Sequence, residues 1–366
     1  MLSSTKNHIK LLEAKQGFDD YVNETNENLK VLPIPTVTEY ILEGLDQLQS
    51  LKKSIIECGR YVEVPPYHNP QLEELITNKR KNKKLDLKLK NLTDADMKIV
   101  ADMMQQSTTL ALLDLSQNQI GEQGAQYIAE AVKNSKTLTT LELFQNQVGQ
   151  QGALYIADAL KINQTLTVLG LSENQVGQQG AQHIAAALKT NKTLIKLGLS
   201  KNEIGEQGVQ YIAEALKTNT TLAMLGLKEN QIGQQGAHHI ADVLKCNQTL
   251  TELHLTNNQI GEQGAQYIAE VLKTNKTLTI LVLNENQIGQ QGVQHIAEAL
   301  KTNQTLTELH LVNNQIGEQG VQHIIETLKT NKTLTALYLE QNQIGEEAIQ
   351  WAKNSLKSNT KLKVHW

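Results

Sequence analysis

Apolar residues recur in this chain in two alternating rhythms. Leu110-x-x-Leu113-x-Leu115 spaces leucines as the buried side of a short strand does, and Asn118, Ile120 and Gly121 follow it. Ala125, Ile128, Ala129 and Val132 then stand at i, i+3, i+4 and i+7, the spacing of one helical face, among Gln, Glu and Lys. The first leucine returns every 28 residues, at Leu138, Leu166, Leu194, Leu222, Leu250, Leu278, Leu306, Leu334 and Leu362. A strict period outranks any local signal, because one such unit cannot bury its apolar face without neighbours. Strands stack about 4.8 Å apart and helices about 10 Å, so the array bends with its strands inside. The pattern predicts an α/β solenoid, a horseshoe of parallel strands lined outside by helices.

Each position has a physical task. Asn118 and its equivalents from Asn146 to Asn342 turn the chain out of the strand, and their amides can bond backbone groups of the same and the adjacent copy. Replacing one by Ala should harm stability rather than binding. Asn163, Asn191, Asn219 and their successors to Asn331 head formal glycosylation sequons, but recurrence makes them part of the repeat. An Asn just past each helix is expected to end it in a left-handed conformation, and the following Thr favours the strand.

The array is expected over residues 82–366. Leu85-Asp86-Leu87, Leu92, Met97, Val100 and Met104 form a degenerate first copy, with Lys90 where later copies have Asn. Nine full copies follow. In the last helix Ala348 replaces a glycine, Trp351 a Tyr or His, and Lys353 a buried alanine, as a terminal cap requires. Leu362 to Trp366 would be a final edge strand. Residues 1–81 read as a helical capping region, with helical patterns over 5–16 and 37–59 and a helix over 69–84 whose exit is crowded by Lys79, Arg80, Lys81, Lys83 and Lys84.

The spacing from 82 to 366 resembles the leucine-rich repeat family, in its ribonuclease-inhibitor-like class. That class includes ribonuclease inhibitors, the sensor ends of NOD-like receptors and activators of the Ran GTPase. The near-identical glutamine-rich copies are also similar in texture to leucine-rich effectors of intracellular bacteria such as Legionella. Leu32-Pro33 followed by Ile41-Leu42 resembles the start of an F-box, the motif that docks adaptors to ubiquitin ligases. These resemblances imply a protein-protein interaction module acting on a protein partner, such as a host protein. Their alternatives are a ubiquitin-ligase adaptor and a GTPase regulator.

Composition narrows the field. A formal net charge of −4 gives no global field for nucleic acid or an anionic membrane, and Arg60 and Arg80 are the only arginines. Cys58 and Cys246 lack partners for a CxxC motif and read as buried or incidental thiols. No secretory signal and no apolar stretch long enough to span a bilayer is evident, so a cytoplasmic monomer is expected. There is no nucleophile elbow, phosphate loop or supported Cys-His pairing, which predicts a non-enzymatic protein without cofactor.

Individuality lies in the strand positions facing the concave surface. The candidate partner-binding residues are Glu142, Phe144, Lys196, Met224, Lys228, Glu252, His254, Val282, Glu308, His310, Tyr338 and Glu340. A glycine stripe at Gly170, Gly198 and Gly226 divides them and either admits a protruding partner element or reflects drift. Glu252 with His254 and Glu308 with His310 are i, i+2 pairs two strands apart, about 10 Å, too far for one metal ion to be shared. His183, His239, His295 and His323 share the Tyr127 position on successive helices and read as packing rings.

Overall fold

A computed structural model describes residues 67–79 and 81–366. The helical patterns over 5–16 and 37–59, the F-box resemblance, Arg60, Arg80 and Cys58 lie outside the described residues. Asn69–Trp366 is one compact unit.

Helix α1 (Pro70–Lys79) precedes strand β1 (Lys84–Asp86), after which helix and strand alternate: α2 (Asp94–Gln106), β2 (Leu112–Asp114), α3 (Glu122–Asn134), β3 (Thr140–Glu142), α4 (Gly149–Leu160) and β4 (Val168–Gly170). There follow α5 (Gly177–Leu188), β5 (Lys196–Gly198), α6 (Gly205–Leu216), β6 (Met224–Gly226), α7 (Gly233–Leu244), β7 (Glu252–His254), α8 (Gly261–Leu272) and β8 (Ile280–Val282). The series closes with α9 (Gly289–Leu300), β9 (Glu308–His310), α10 (Gly317–Leu328), β10 (Ala336–Tyr338), α11 (Glu346–Ser355) and β11 (Lys363–His365). The strands form one 11-stranded parallel sheet in chain order. From β2 to β10 each residue pairs with the one 28 positions on, as Gly198 does with Gly226, so equivalent side chains form straight columns across the sheet.

The apolar pattern explains the burial. Leu113, Leu115 and Ile120 are wholly buried in one core with Ala125 and Ile128. Small residues let helix and strand approach: a Cβ added to Gly180 would meet Val176 Cγ1 at 2.6 Å and Ala153 Cβ at 3.0 Å. Helix α1 adds Leu72 and Ile76 to the same core. It is shorter than its basic tail suggested, ending at Lys79, with Lys83 beyond it and Lys84 in β1.

Two ladders of buried asparagines run along the array. In the upper one, Asn230 Nδ2 donates to the carbonyls of Leu199, Leu227 and Lys228 at 2.9, 3.0 and 3.2 Å, and its Oδ1 accepts from the amides of Asn202 and Ile204. In the lower one, Asn191 Nδ2 donates to Leu160 O at 2.8 Å, and its Oδ1 accepts from the amides of Thr193 and Leu194. The sequon asparagines are therefore buried, their amide nitrogens already engaged. They do not adopt the expected left-handed conformation; among non-glycine residues that falls to the neighbours of the upper Asn, such as Glu173 and Gln175 at φ 57° each, with Gly177 following at +63°. The last carbonyl of each helix is instead capped by the lower Asn of the following copy, as Leu160 O is by Asn191 and Leu188 O by Asn219.

The last strand departs from the period. Lys363 pairs with Ala336 and Val364 with Leu337, an offset of 27 residues rather than 28, so the strand after Leu362 is one residue short of the period. Alternation within β11 turns Leu362, Val364 and Trp366 toward the core and leaves Lys363 and His365 exposed.

Candidate inner-face site

Because the columns are straight, the residues facing away from the helices can be read as rows of a grid. The middle column runs Asp86, Asp114, Glu142, Gly170, Gly198, Gly226, His254, Val282, His310, Tyr338 and His365. Three carboxylates on adjacent strands give way to three glycines and then to four rings interrupted by Val282.

At the acidic end Glu142 is drawn back over its neighbour. A Cβ placed on Gly170 would fall 1.8 Å from Glu142 Oε2, so the carboxylate fills the space a side chain on β4 would take. Burial, and secondarily the adjacent Asp114 carboxylate, push the Glu142 carboxyl above its ordinary range. Phe144 lies half-buried one position along the same face. The glycine stripe is thus not uniform: Gly170 is roofed by Glu142, whereas a Cβ on Gly198 or Gly226 would meet a serine hydroxyl, Ser172 Oγ at 3.3 Å or Ser200 Oγ at 3.6 Å, and then backbone of the preceding strand.

The centre carries paired charge. Lys201 Nζ lies 3.0 Å from Glu173 and 3.8 Å from Glu229, and Lys228 Nζ lies 3.0 Å from Glu229. Glu173, Lys201 and Glu229 sit in the left-handed turn just after each strand, outside the columns read from the leucine spacing. Lys196 is exposed and Met224 partly so.

The far end is the most organised. His254 Nε2 is 2.6 Å from Glu252 Oε1, and His310 Nε2 stands at the same distance from Glu308 Oε1. Tyr338 is stacked between His310 and His365, with ring centroids 4.0 and 4.3 Å apart and planes within 11° and 8°. Val282, flanked in register by His254 and His310, is only 7% exposed. It forms floor between the rings and offers a partner almost no surface. His365 belongs to the stack although the slipped register of β11 hid it. Glu340 completes the patch; its Oε2 is buried without a hydrogen-bond partner, the sole buried side-chain nitrogen or oxygen so placed among the described residues.

The sequence matches two family models. The TMOD/LMOD leucine-rich domain matches over residues 174–279 and 230–320, and the leucine-rich repeat over 106–129, 134–157 and 330–350. The chain is a leucine-rich repeat protein. Repeats of this kind account for the periodic leucines, the parallel sheet and the asparagine turns together. Among solved structures it is similar to the leiomodin-1 actin-binding site 2 domain, at 24% identity and a TM-score of 0.35, over 42% of this chain and 88% of that one. It is also similar to the tropomodulin C-terminal domain of Caenorhabditis elegans, at 16% identity and a TM-score of 0.35, over 40% of this chain and 92% of that one. No curated protein matches.

Elsewhere on this repeat protein the candidates have structural roles or no arrangement. Among the described residues no group of three or more His, Cys, Asp or Glu is arranged to hold a metal ion, and no helix is long and apolar enough to cross a membrane. Cys246 is exposed rather than buried. Of the outer histidine series His239 has a ring neighbour, His238 at 6.1 Å, and it is His238 that meets Tyr267 edge-on at 4.6 Å. Lys353 is exposed, and Trp351 packs against the core under Lys329, whose Nζ is 5.8 Å from the ring.

Proposed function

We propose that this repeat protein is a non-enzymatic interaction module that holds a protein partner on its strand-lined face. The observation that carries the reading is the division of labour within each copy. Leucines, alanines and asparagines are buried and repeated, whereas the columns of the inner face change from carboxylate to glycine to imidazole and tyrosine. A preformed surface of this kind loses little conformational entropy on binding. The finer reading is a monomeric, cytoplasmic member of the ribonuclease-inhibitor-like class that acts as a bacterial effector on a host protein, on the texture of its glutamine-rich copies. The candidate contacts are those of Glu142, Phe144, Lys196, Met224, Lys228, Glu252, His254, Glu308, His310, Tyr338 and Glu340.

The test is affinity capture from a eukaryotic lysate, comparing the native chain with a Phe144→Ala, His254→Ala, Tyr338→Ala variant whose circular dichroism and melting match it. A partner bound by the native chain and lost by the variant supports the inner face. A partner kept by both moves the site to the helices or to residues 1–81. Purified actin is included as a defined probe, since the TMOD/LMOD domain model covers residues 174–320 and the leiomodin-1 domain is named for actin binding. Two rival functions have their own readouts: deletion of residues 30–60 abolishes only ligase-subunit binding in the adaptor reading, and a GTP hydrolysis assay responds to the chain in the regulator reading.

A further inference from the structure

Resting on that protein-binding reading, we infer that the inner face of β7 to β10 takes a cationic segment of the partner, one bearing lysine or arginine side chains. The charge within β7 to β10 is one-sided, with Lys363 standing beyond it on the edge strand β11, in register with Ala336. Residues 251–258, 279–286, 307–314 and 335–342, which supply this face and its turns, contain Glu252, Glu285, Glu308 and Glu340 and neither lysine nor arginine. The centre of the array differs, because Glu173 and Glu229 are tied there to Lys201 and Lys228.

The carboxylates are also held ready. Glu252 and Glu308 are each fixed through Oε1 by an imidazole two residues along the same strand at 2.6 Å, which leaves the second oxygen of each for a partner. The parallel rings of His310, Tyr338 and His365 lock the neighbouring floor, so little ordering is required of it on binding. Glu340 gives an observation independent of the net charge. Its Oε2 accepts no hydrogen bond within the chain, and turning this partly exposed carboxylate outward to an ammonium or guanidinium N–H would supply the partner it lacks. An anionic segment would meet the carboxylates of Glu252, Glu285, Glu308 and Glu340, and an apolar one would leave Glu340 Oε2 orphaned.

The experiment uses fluorescence anisotropy of the full chain with panels of short synthetic peptides that are cationic, neutral or anionic. Two variants are compared: Glu252→Gln, Glu308→Gln, Glu340→Gln on the inner face, and Glu270→Gln, Glu298→Gln, Glu326→Gln on the helices, where each carboxylate pairs with an exposed lysine. Both remove the same net charge. Cationic peptides should bind the native chain more tightly as salt falls, lose about tenfold or more in affinity with the inner-face variant, and bind the helix variant as they bind the native chain. Equal losses with both variants would show unspecific attraction and overturn the inference, as would tighter binding of neutral or anionic peptides, or no preference among the panels. The lysate capture separates this failure from that of the broader reading. A partner lost with the alanine variant but kept by the inner-face glutamine variant would refute the cationic segment while leaving protein binding on the inner face intact.

Discussion

Removing one amide from the upper asparagine ladder should cost far more than a surface hydrogen bond. In Asn230→Ala, Lys228 O keeps the Lys201 amide and Leu227 O keeps Asn258 Nδ2. Leu199 O and the amides of Asn202 and Ile204, by contrast, lose the partner that Asn230 supplies. Asn230 is wholly buried, so water reaches these groups only through the small cavity left behind. A buried polar group left unpaired costs about 1–3 kcal/mol, and water entering the cavity offsets part of the sum, which gives a loss of roughly 3–5 kcal/mol for the three. The same change at Asn118 orphans Lys90 N, Leu92 N and Leu87 O in the first, degenerate copy, where Asn118 is 8% exposed. In a chain of nearest-neighbour interfaces, an end defect frays while a central one cuts the array in two. Urea denaturation followed by circular dichroism should therefore show Asn118→Ala shifting one transition slightly, and Asn230→Ala lowering the midpoint strongly or splitting the curve. A loss below about 1 kcal/mol at Asn230 would refute the claim that the ladder holds the turns.

Three further outcomes follow from the same geometry. Glu142→Gln should stabilise the protein at neutral pH, because a carboxyl whose folded pKa is raised binds its proton more tightly when folded; stability is then highest below the ordinary carboxylate range and falls as pH rises through the raised value. Melting temperatures of the two proteins should converge under acid, and a variant less stable at neutral pH would contradict the burial argument. Gly170→Ala should push the Glu142 side chain out toward water and return its titration, followed by carboxyl NMR, toward the ordinary range; an unmoved titration would mean the carboxylate does not roof Gly170. Gln175→Gly should raise stability by roughly 0.5–1 kcal/mol, since Gln175 is exposed at φ 57°, where a side chain is strained and glycine is not, while Gln175→Val should lower it. Denaturation midpoints of the pair settle the sign.

The period made most of this fold legible, since a leucine every 28 residues fixes both register and inward direction for nearly every strand. What escaped it were features without periodicity. The slip of β11 depends on one missing residue between Leu362 and the strand, and only pairing to Ala336 reveals it; with it went His365 and half of the ring stack. The left-handed residues were placed at the wrong asparagine because Asn is the residue expected there, whereas Glu173 and Gln175 adopt the conformation under the constraint of Asn174 between them. Candidate residues were identified as columns, but their relations were not. That Glu142 folds over Gly170, that Val282 is covered, and that Glu340 Oε2 is unpaired depend on side-chain packing between neighbouring copies.

From Asn163 and Asn174 onward the two asparagine ladders give each copy the same seam above and below. The Asn202 amide donates to Asn230 Oδ1 as the Asn174 amide donates to Asn202 Oδ1, atom for atom. Excising or inserting one whole copy would rejoin matched seams, whereas a gain or loss of any other length would leave both ladders out of step except at an edge strand such as β11. The inner face is therefore a surface of adjustable length, extended or shortened in units of one strand without redesign of the turns, and its chemistry is edited by the few columns that the seams leave free.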